Sequence, residues 1–332
     1  MVVLRPRVFV TRQIFPEALE LISAAADTEV WPDEQPPTPD QLLHKLESAD
    51  GVVTNIMDRV DAPLLESSRQ LKVVSQLGVG TDNIDLEEAT RRGVMVGNTP
   101  GVLAGATADV GFALLMSAAR RISESSRWLQ SGNWEIQYHP MHWLGVDVHG
   151  ATLGIVGLGQ IGLEMAKRAR GFSMRIIYYS RTRKLALESE YGLEYMDPAA
   201  LLSTADFVSL HLPLTPETRH YISERELRMM KPTAILINLA RGAVVDSQAL
   251  YTALKEGWIR GAALDVTDPE PIAHDDPLLS LDNIVITPHI GSASTASRLE
   301  TCLLAARNVV AGVQGQRLEQ CANPQVYQAK GI

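Results

Sequence analysis

The stretch Thr152-Leu-Gly-Ile-Val-Gly-Leu-Gly-Gln-Ile-Gly162 constrains the fold more than any other part of the chain. A short apolar run, residues 153–156, enters Gly157-Leu158-Gly159-Gln160-Ile161-Gly162, and a helical pattern through Met165 and Ala166 follows. Gly171 stands where the C-terminal glycine of that helix is expected. Glycines at this spacing have separate tasks. The first permits a tight turn, the second lets a ligand approach the backbone, and the third lets the helix pack against its strand. The start of the helix offers unpaired N–H groups and the positive end of its dipole to a phosphate. A strand, this turn and a helix in that order form the dinucleotide-binding fingerprint in the context it requires.

Two alternating series of strands and helices surround this centre. The first predicts strands at residues 8–10, 51–54, 73–77 and 94–96, with helices at 16–26, 40–48, 63–67 and 86–92. The second starts at the fingerprint and predicts strands at 153–156, 175–179, 207–212, 234–238, 261–265 and 283–287. A helix over 247–256 has Asp246 as its N-cap and Gly257 as its C-terminal glycine. Such alternation predicts α/β architecture: two doubly wound parallel-sheet domains, the second a six-stranded Rossmann dinucleotide-binding domain. A length of 332 residues suits two domains. The expected division is a substrate-binding domain of residues 1–102 and 292–332, and a dinucleotide-binding domain of residues 103–291. The Pro-rich residues 31–39 read as a surface connection.

Residues 101–121 carry Ala104, Ala106, Ala108, Ala113, Leu114, Leu115, Ala118 and Ala119. Apolar residues around so much of its circumference predict a buried helix, expected to run on to Gln130 before Ser131-Gly132. A second Ala-rich helix, 294–313, is expected to return to the first domain. The active site is expected in the cleft between domains, at the carboxyl ends of the second sheet's strands.

Composition narrows the function. A formal charge of −9 without a basic run argues against nucleic acid or an anionic membrane as partner. Cys302 and Cys321 make neither a disulfide framework nor a metal cluster. No apolar run approaches membrane-spanning length, and residues 1–7 lack a signal-like core, so a cytoplasmic protein is expected.

Three charged groups follow strands of the second series. Arg241 follows Ala240, Glu270 lies in Val266-Thr-Asp-Pro-Glu-Pro271, and His289 follows Pro288. The carboxyl ends of parallel strands share one edge, so these side chains are expected to converge. Hydride transfer to a 2-keto acid needs such a set. An arginine holds the carboxylate, a histidine protonates the developing alkoxide, and a glutamate orients the imidazole and favours its cationic form. His139 and His142 stand at i, i+3 spacing with Pro140 between them and no evident third ligand, so no metal is expected.

With these groups the sequence resembles the D-isomer-specific 2-hydroxyacid dehydrogenases, and within them the glyoxylate/hydroxypyruvate reductases. The stretches that carry the likeness run in order through most of the chain. They are Leu77-Gly-Val-Gly-Thr-Asp-Asn-Ile-Asp85, Asn98-Thr-Pro-Gly-Val102, Ala106-Thr-Ala-Asp109, the fingerprint, Tyr179-Ser-Arg-Thr182, Ile237-Asn-Leu-Ala-Arg-Gly-Ala-Val-Val-Asp246, Leu264-Asp-Val-Thr-Asp-Pro-Glu-Pro271 and Thr287-Pro-His-Ile-Gly-Ser292. The resemblance implies Arg241, Glu270 and His289 as catalytic residues, and the backbone of Gly78, Val79 and Gly80 as a second holder of the substrate carboxylate. It implies cofactor contacts from Thr107, the fingerprint residues 157–162, Ser180, Arg181, Thr182, Leu212, Pro213, Leu239, Ala240, Asp265 and Gly291. It also implies a homodimer joined through the apolar helix after residue 100 and the arm that follows. Trp143 has two readings: plain packing, or a reach into the neighbouring subunit's substrate pocket, as in reductases of this type.

One position departs from many NAD-using relatives. Where they carry an aspartate for the ribose hydroxyls, this chain has Ser180-Arg181-Thr182-Arg183. Serine and arginine suit a 2′-phosphate that a carboxylate would repel, so NADP(H) is the expected cofactor, with residual use of NAD(H). The expected activity is reduction of a small 2-keto acid to the D-2-hydroxy acid. The alternatives are a related 2-hydroxyacid or phosphite dehydrogenase, and a dinucleotide-sensing corepressor or scaffold of the same fold.

Overall fold

The computed structural model describes residues 5–330. Residues 1–4 and 331–332, the outer ends of the expected first domain, lie outside the described residues. The chain divides into two units, Met1–Leu103 with Ser294–Ile332, and Ala104–Ala293. The first unit contains β1 (Arg7–Val10), α1 (Pro16–Ala25), β2 (Asp27–Val30), α2 (Pro39–Leu46), β3 (Gly51–Asn55), α3 (Ala62–Ser67), β4 (Val73–Leu77), α4 (Leu86–Arg91) and β5 (Met95–Gly97). The second contains α5 (Ala104–Ala119), α6 (Ile122–Gln130), β6 (Thr152–Val156), α7 (Gln160–Gly171), β7 (Arg175–Tyr179), α8 (Leu185–Tyr191), β8 (Glu194–Tyr195), α9 (Pro198–Thr204), β9 (Phe207–Leu210), α10 (Glu224–Met229), β10 (Ile235–Asn238), α11 (Ser247–Lys255), β11 (Gly261–Leu264) and β12 (Ile284–Ile286). α12 (Thr295–Val313) and α13 (Val326–Lys330) complete the first unit.

Both sheets are parallel. The first has the order β2-β1-β3-β4-β5, the second β12-β11-β10-β9-β6-β7-β8. The central strands are buried on both faces, as a parallel sheet covered by helices requires. The second sheet has seven strands rather than six. The additional β8 is a two-residue edge strand paired only with β7, too short and too polar to show in the sequence. β2, likewise on an edge, reads Asp-Thr-Glu-Val and was not expected either. Trp31 anchors the Pro-rich connection that follows by packing edge-on against Phe9 and donating to the Gln35 carbonyl.

Local signals explain most helix boundaries. α2 starts with a reciprocal capping box between Thr38 and Gln41, and Asp246 caps α11 through the Ala249 N–H. Two expectations fail at helix ends. The predicted helix to Gln130 is broken into α5 and α6 at Arg121, which takes left-handed backbone geometry at φ 54°. Its guanidinium makes a bidentate pair with Glu124 and stacks over Trp143, contacts that hold the bend. Gly171 is the last residue of α7 rather than its cap, and the left-handed residue beyond is Ser173.

α12 packs on α1 and on β3, β4 and β5, sealing one face of the first sheet. Its fit is close, because a Cβ at Gly312 would stand 2.4 Å from the Cβ of Val73. Inside the second unit α5 lies against α7, clamped by Arg168, which donates to the Asp109 carboxylate at 2.7 Å and the Gly105 carbonyl at 2.9 Å. No helix among the described residues is long and apolar enough to cross a membrane.

Gly312→Ala is expected to force α12 away from β4. Overpacking of a tight core costs about 1–3 kcal/mol. A thermal melt should show a lowered Tm, and an unchanged Tm would mean that the helix–sheet contact yields easily.

Candidate active site

β10, β11 and β12 are neighbours, so the residues that follow them begin side by side on one edge of the sheet. Arg241 follows β10, Glu270 lies in the loop after β11, and His289 follows β12. Hydrogen bonds lace these three connections. The Asp265 N–H donates to the Asn238 carbonyl at 3.0 Å. The Asn238 side chain donates to the Arg241 carbonyl at 2.9 Å and accepts from the Ala240 N–H at 3.0 Å. Asp265 is 2% exposed, and its carboxylate accepts from the Thr287 hydroxyl at 2.6 Å and the Ile290 and Gly291 N–H groups at 2.8 and 2.7 Å. Its carbonyl takes the His289 N–H at 2.9 Å. Donors at this density let a carboxylate be buried without a cation partner.

The turn built on Asp265 holds His289 at φ 52°, a left-handed conformation that residues other than glycine rarely adopt. His289 Nδ1 lies 2.6 Å from Glu270 Oε1. With Nδ1–H donating to that carboxylate, Nε2 is the ring nitrogen left for a reacting group. The side chains of the pair are 28% and 26% exposed, so solvent and ligand reach them. Arg241 donates from Nη1 to the Ala240 carbonyl at 2.9 Å. The next residue, Gly242, lies so close to the Glu270 loop that a Cβ there would be 1.9 Å from the Thr267 carbonyl oxygen.

His211 also lies near this edge, after β9. Burial pushes its pKa down to about 3, so it is neutral near pH 7. Its Nε2 meets the Ser209 hydroxyl at 2.9 Å, and its buried Nδ1 has no partner among the described residues.

The fingerprint residues fit a dinucleotide. Gly157 takes φ 101°, and a Cβ there would stand 2.8 Å from the His211 carbonyl, so only glycine can make the turn. At Gly162 a Cβ would stand 2.4 Å from the Gly157 oxygen. At Gly159 nothing lies within 4 Å of that position, which leaves room for a pyrophosphate. Gly159 gives α7 no side-chain cap and its first turn carries no acidic residue, so the positive end of the helix dipole suits an anion. Leu158 is buried beneath the turn, while Gln160 and Ile161 open α7. Leu212 and Pro213 follow β9 against the Gly157 turn, and Leu239 and Ala240 follow β10. A Cβ on Gly291 would lie 3.0 Å from Asp265 Oδ2 and 3.1 Å from Thr107 Cγ2, so these three residues meet.

The loop after β7 alters one expectation. Arg183 is committed to a bidentate pair with Glu188, both bonds 2.8 Å, and stacks over Tyr195. Arg183, with help from the Tyr178 hydroxyl, holds the Glu188 carboxyl down at about 2. Arg181 is exposed and is the arginine left to meet a ligand, while the Ser180 hydroxyl donates to the Thr182 carbonyl at 2.7 Å. The Arg183–Glu188 pair spans a loop and a helix start, so no helical spacing announced it.

Trp143 packs edge-on against Trp128 and under Arg121. The neighbouring Leu144 carbonyl accepts from Arg260, which precedes β11, and the Val146 N–H donates to Ala119. Trp143 therefore sits towards the amino ends of the strands, the opposite edge from His289 of the same chain. His139 and His142 stack at 4.1 Å, and among the described residues no three His, Cys, Asp or Glu side chains are placed to hold a metal. In the first unit Gly78, Val79 and Gly80 follow β4, with Val79 37% exposed. Asn238 escaped the sequence reading, although a polar residue closing an apolar strand was visible.

Comparison with known proteins agrees with this geometry. Residues 112–291 match the model of the D-isomer specific 2-hydroxyacid dehydrogenase, NAD binding domain. The chain is 51% identical over 316 residues to a glyoxylate reductase of Thermococcus litoralis, covering 94% of this chain and 95% of that protein. It is 49% identical over 327 residues to a glyoxylate reductase of Korarchaeum cryptofilum, covering 98% of each. A solved structure of an NADPH-dependent glyoxylate/hydroxypyruvate reductase from Sinorhizobium meliloti, in complex with NADP and malonate, superimposes with a TM-score of 0.86 at 30% identity, covering 97% of this chain and 98% of that one. A fingerprint shaped for a dinucleotide, a His–Glu pair on the same sheet edge and likeness along nearly the whole chain lead to one conclusion: this chain belongs to the D-isomer specific 2-hydroxyacid dehydrogenases, enzymes that work with a nicotinamide dinucleotide.

Proposed function

We propose that the protein is a glyoxylate/hydroxypyruvate reductase that prefers NADPH. The observation that carries the reading is the His289–Glu270 pair at 2.6 Å, held on the sheet edge that also bears the dinucleotide turn. The nicotinamide supplies a hydride to the keto carbon when bound. Arg241 holds the substrate carboxylate, with the amides of residues 78–80 as a second anchor. His289 gives its Nε2 proton to the carbonyl oxygen as that oxygen gains charge, so one hydride and one proton convert the 2-keto acid to the D-2-hydroxy acid. Glu270 accepts from Nδ1 at 2.6 Å and so fixes the ring with Nε2 towards the substrate. His211 is neutral and cannot serve as this acid.

Preference for NADPH rests on Arg181 and Ser180 in place of a carboxylate. A hydrogen bond from arginine to a phosphate is worth about 1.5–3 kcal/mol, tenfold or more in affinity.

The working form is a homodimer in which Trp143 serves the partner's substrate pocket. α6 has no buried residue, and Trp134, Ile136, Tyr138, Met141 and Leu144 are exposed in the arm beyond it. Large apolar groups gathered in one segment mark a binding surface. Trp143 stands at the wrong strand edge for its own His289, so a substrate contact must come from a second copy.

Absorbance assays should show NADPH oxidised with glyoxylate and hydroxypyruvate, and less well with pyruvate or branched 2-keto acids. His289→Ala should lose about a hundredfold or more in kcat; a folded variant with near-normal kcat would remove the assignment. Arg181→Ala should raise KM for NADPH and spare NADH, and Ser180→Asp should turn the preference to NADH. Equal use of both cofactors by the unmodified enzyme, with no selective effect of Arg181→Ala, would show that the loop does not read the phosphate. Light scattering should give twice the 36.3 kDa chain mass, and Trp143→Ala should narrow the gap between glyoxylate and 2-ketoisocaproate. A monomer that turns over normally would sink the proposed contact.

A further inference from the structure

β4 ends at Leu77, and each of the next three carbonyls has a donor within the first unit. Gly78 C=O accepts from the Thr99 N–H at 2.9 Å, Val79 C=O from Asn98 Nδ2 at 2.8 Å, and Gly80 C=O from Gln76 Nε2 at 3.3 Å. In a trans peptide a carbonyl and the N–H of the next residue point in opposite directions. Holding the Gly78 and Val79 carbonyls against residues 98–99 therefore turns the Val79 and Gly80 N–H groups away from that segment. Neither N–H has a partner among the described residues. Two successive free amides of this kind make an anion-binding concavity.

The donors are fixed from behind. Asn308 on α12 is fully buried, donates to the Asn98 carbonyl at 3.2 Å and accepts from the Gln320 N–H at 3.1 Å. Gln76 is also fully buried and has further bonds, accepting from Thr54 at 2.8 Å and donating to Asn83 at 2.7 Å. The Asn98 side chain makes one hydrogen bond among the described residues, the one to Val79.

We propose that Asn98 is a positioning residue for substrate binding: by gripping the Val79 carbonyl, its side-chain amide aims the Gly80 N–H at the substrate carboxylate. This rests on the reading that the amides of residues 78–80 take that carboxylate. The side chain is neutral and need not touch the substrate. Its removal should therefore weaken substrate binding while leaving the cofactor, the proton donor and the fold in place.

The test uses the full-length enzyme with glyoxylate as substrate and oxamate as an unreactive 2-keto acid analogue. Asn98→Leu keeps the shape and lacks the donor, and Asn98→Ala removes both. Each should raise KM for glyoxylate and Ki for oxamate about tenfold, the scale of one hydrogen bond to a charged group. The kcat should stay within a few-fold, and KM for NADPH and Tm should be unchanged. Unchanged glyoxylate KM and oxamate Ki in the Leu variant would overturn the proposal, as would a loss spread over Tm, NADPH binding and kcat together. If the unmodified enzyme neither reduces glyoxylate nor binds oxamate, the parent reading falls first and takes this one with it. That failure is visible before any variant is compared.

Discussion

One buried carboxylate, Asp265, ties the chemistry of the second unit together. It stands where three parallel strands end, and it accepts three hydrogen bonds while its own backbone links the strands on either side. Burying a charge is costly unless donors surround it, and here the donors come from the connection that carries His289. The left-handed backbone at His289 is held by that demand. The Glu270 loop is pressed against Gly242, directly after Arg241, so two of the three proposed catalytic groups ride on loops in contact. Hydrogen-bond satisfaction and close backbone approach thus set the backbone from which these groups project.

The anion contacts proposed for this chain follow two physical routes. The dinucleotide fingerprint offers uncharged parts: a glycine turn, open space at Gly159 and the positive end of the α7 dipole. The loop after β7 carries formal charge, and the fold divides its two arginines unequally. Arg183 is spent internally on Glu188 while Arg181 stays in solvent. In the proposed reading, the amides of Val79 and Gly80 repeat the uncharged route in the first unit. Oriented backbone dipoles do not titrate and need no reorganisation when an anion arrives.

Much of the fold was legible because parallel sheets buried on both faces demand apolar runs, and dinucleotide turns demand glycine at fixed spacing. Four of the five strands in the first sheet and six of the seven in the second show in that pattern. β2 and β8 did not, because an edge strand pairs on one side only and can be polar. The break at Arg121 was invisible as well. Nothing in the local sequence disfavours a helix there, and the bend is held by Glu124 and Trp143, the latter 22 residues further along (143 − 121).

The sequence by itself therefore determined two parallel α/β sheets, the position of the dinucleotide turn, and the residues Arg241, Glu270 and His289 as polar groups after strand ends, since each depends on local pattern and chain order. Tertiary structure alone decided that Asp265 is the buried hub, that Glu188 takes Arg183 and leaves Arg181, that Trp143 stands at the far edge from its own His289, and that Asn98 grips Val79. These outcomes depend on which polar groups the folded backbone leaves unsatisfied and which side chains lie within reach of them. That is set by contacts between segments distant in the chain, and no periodicity records it.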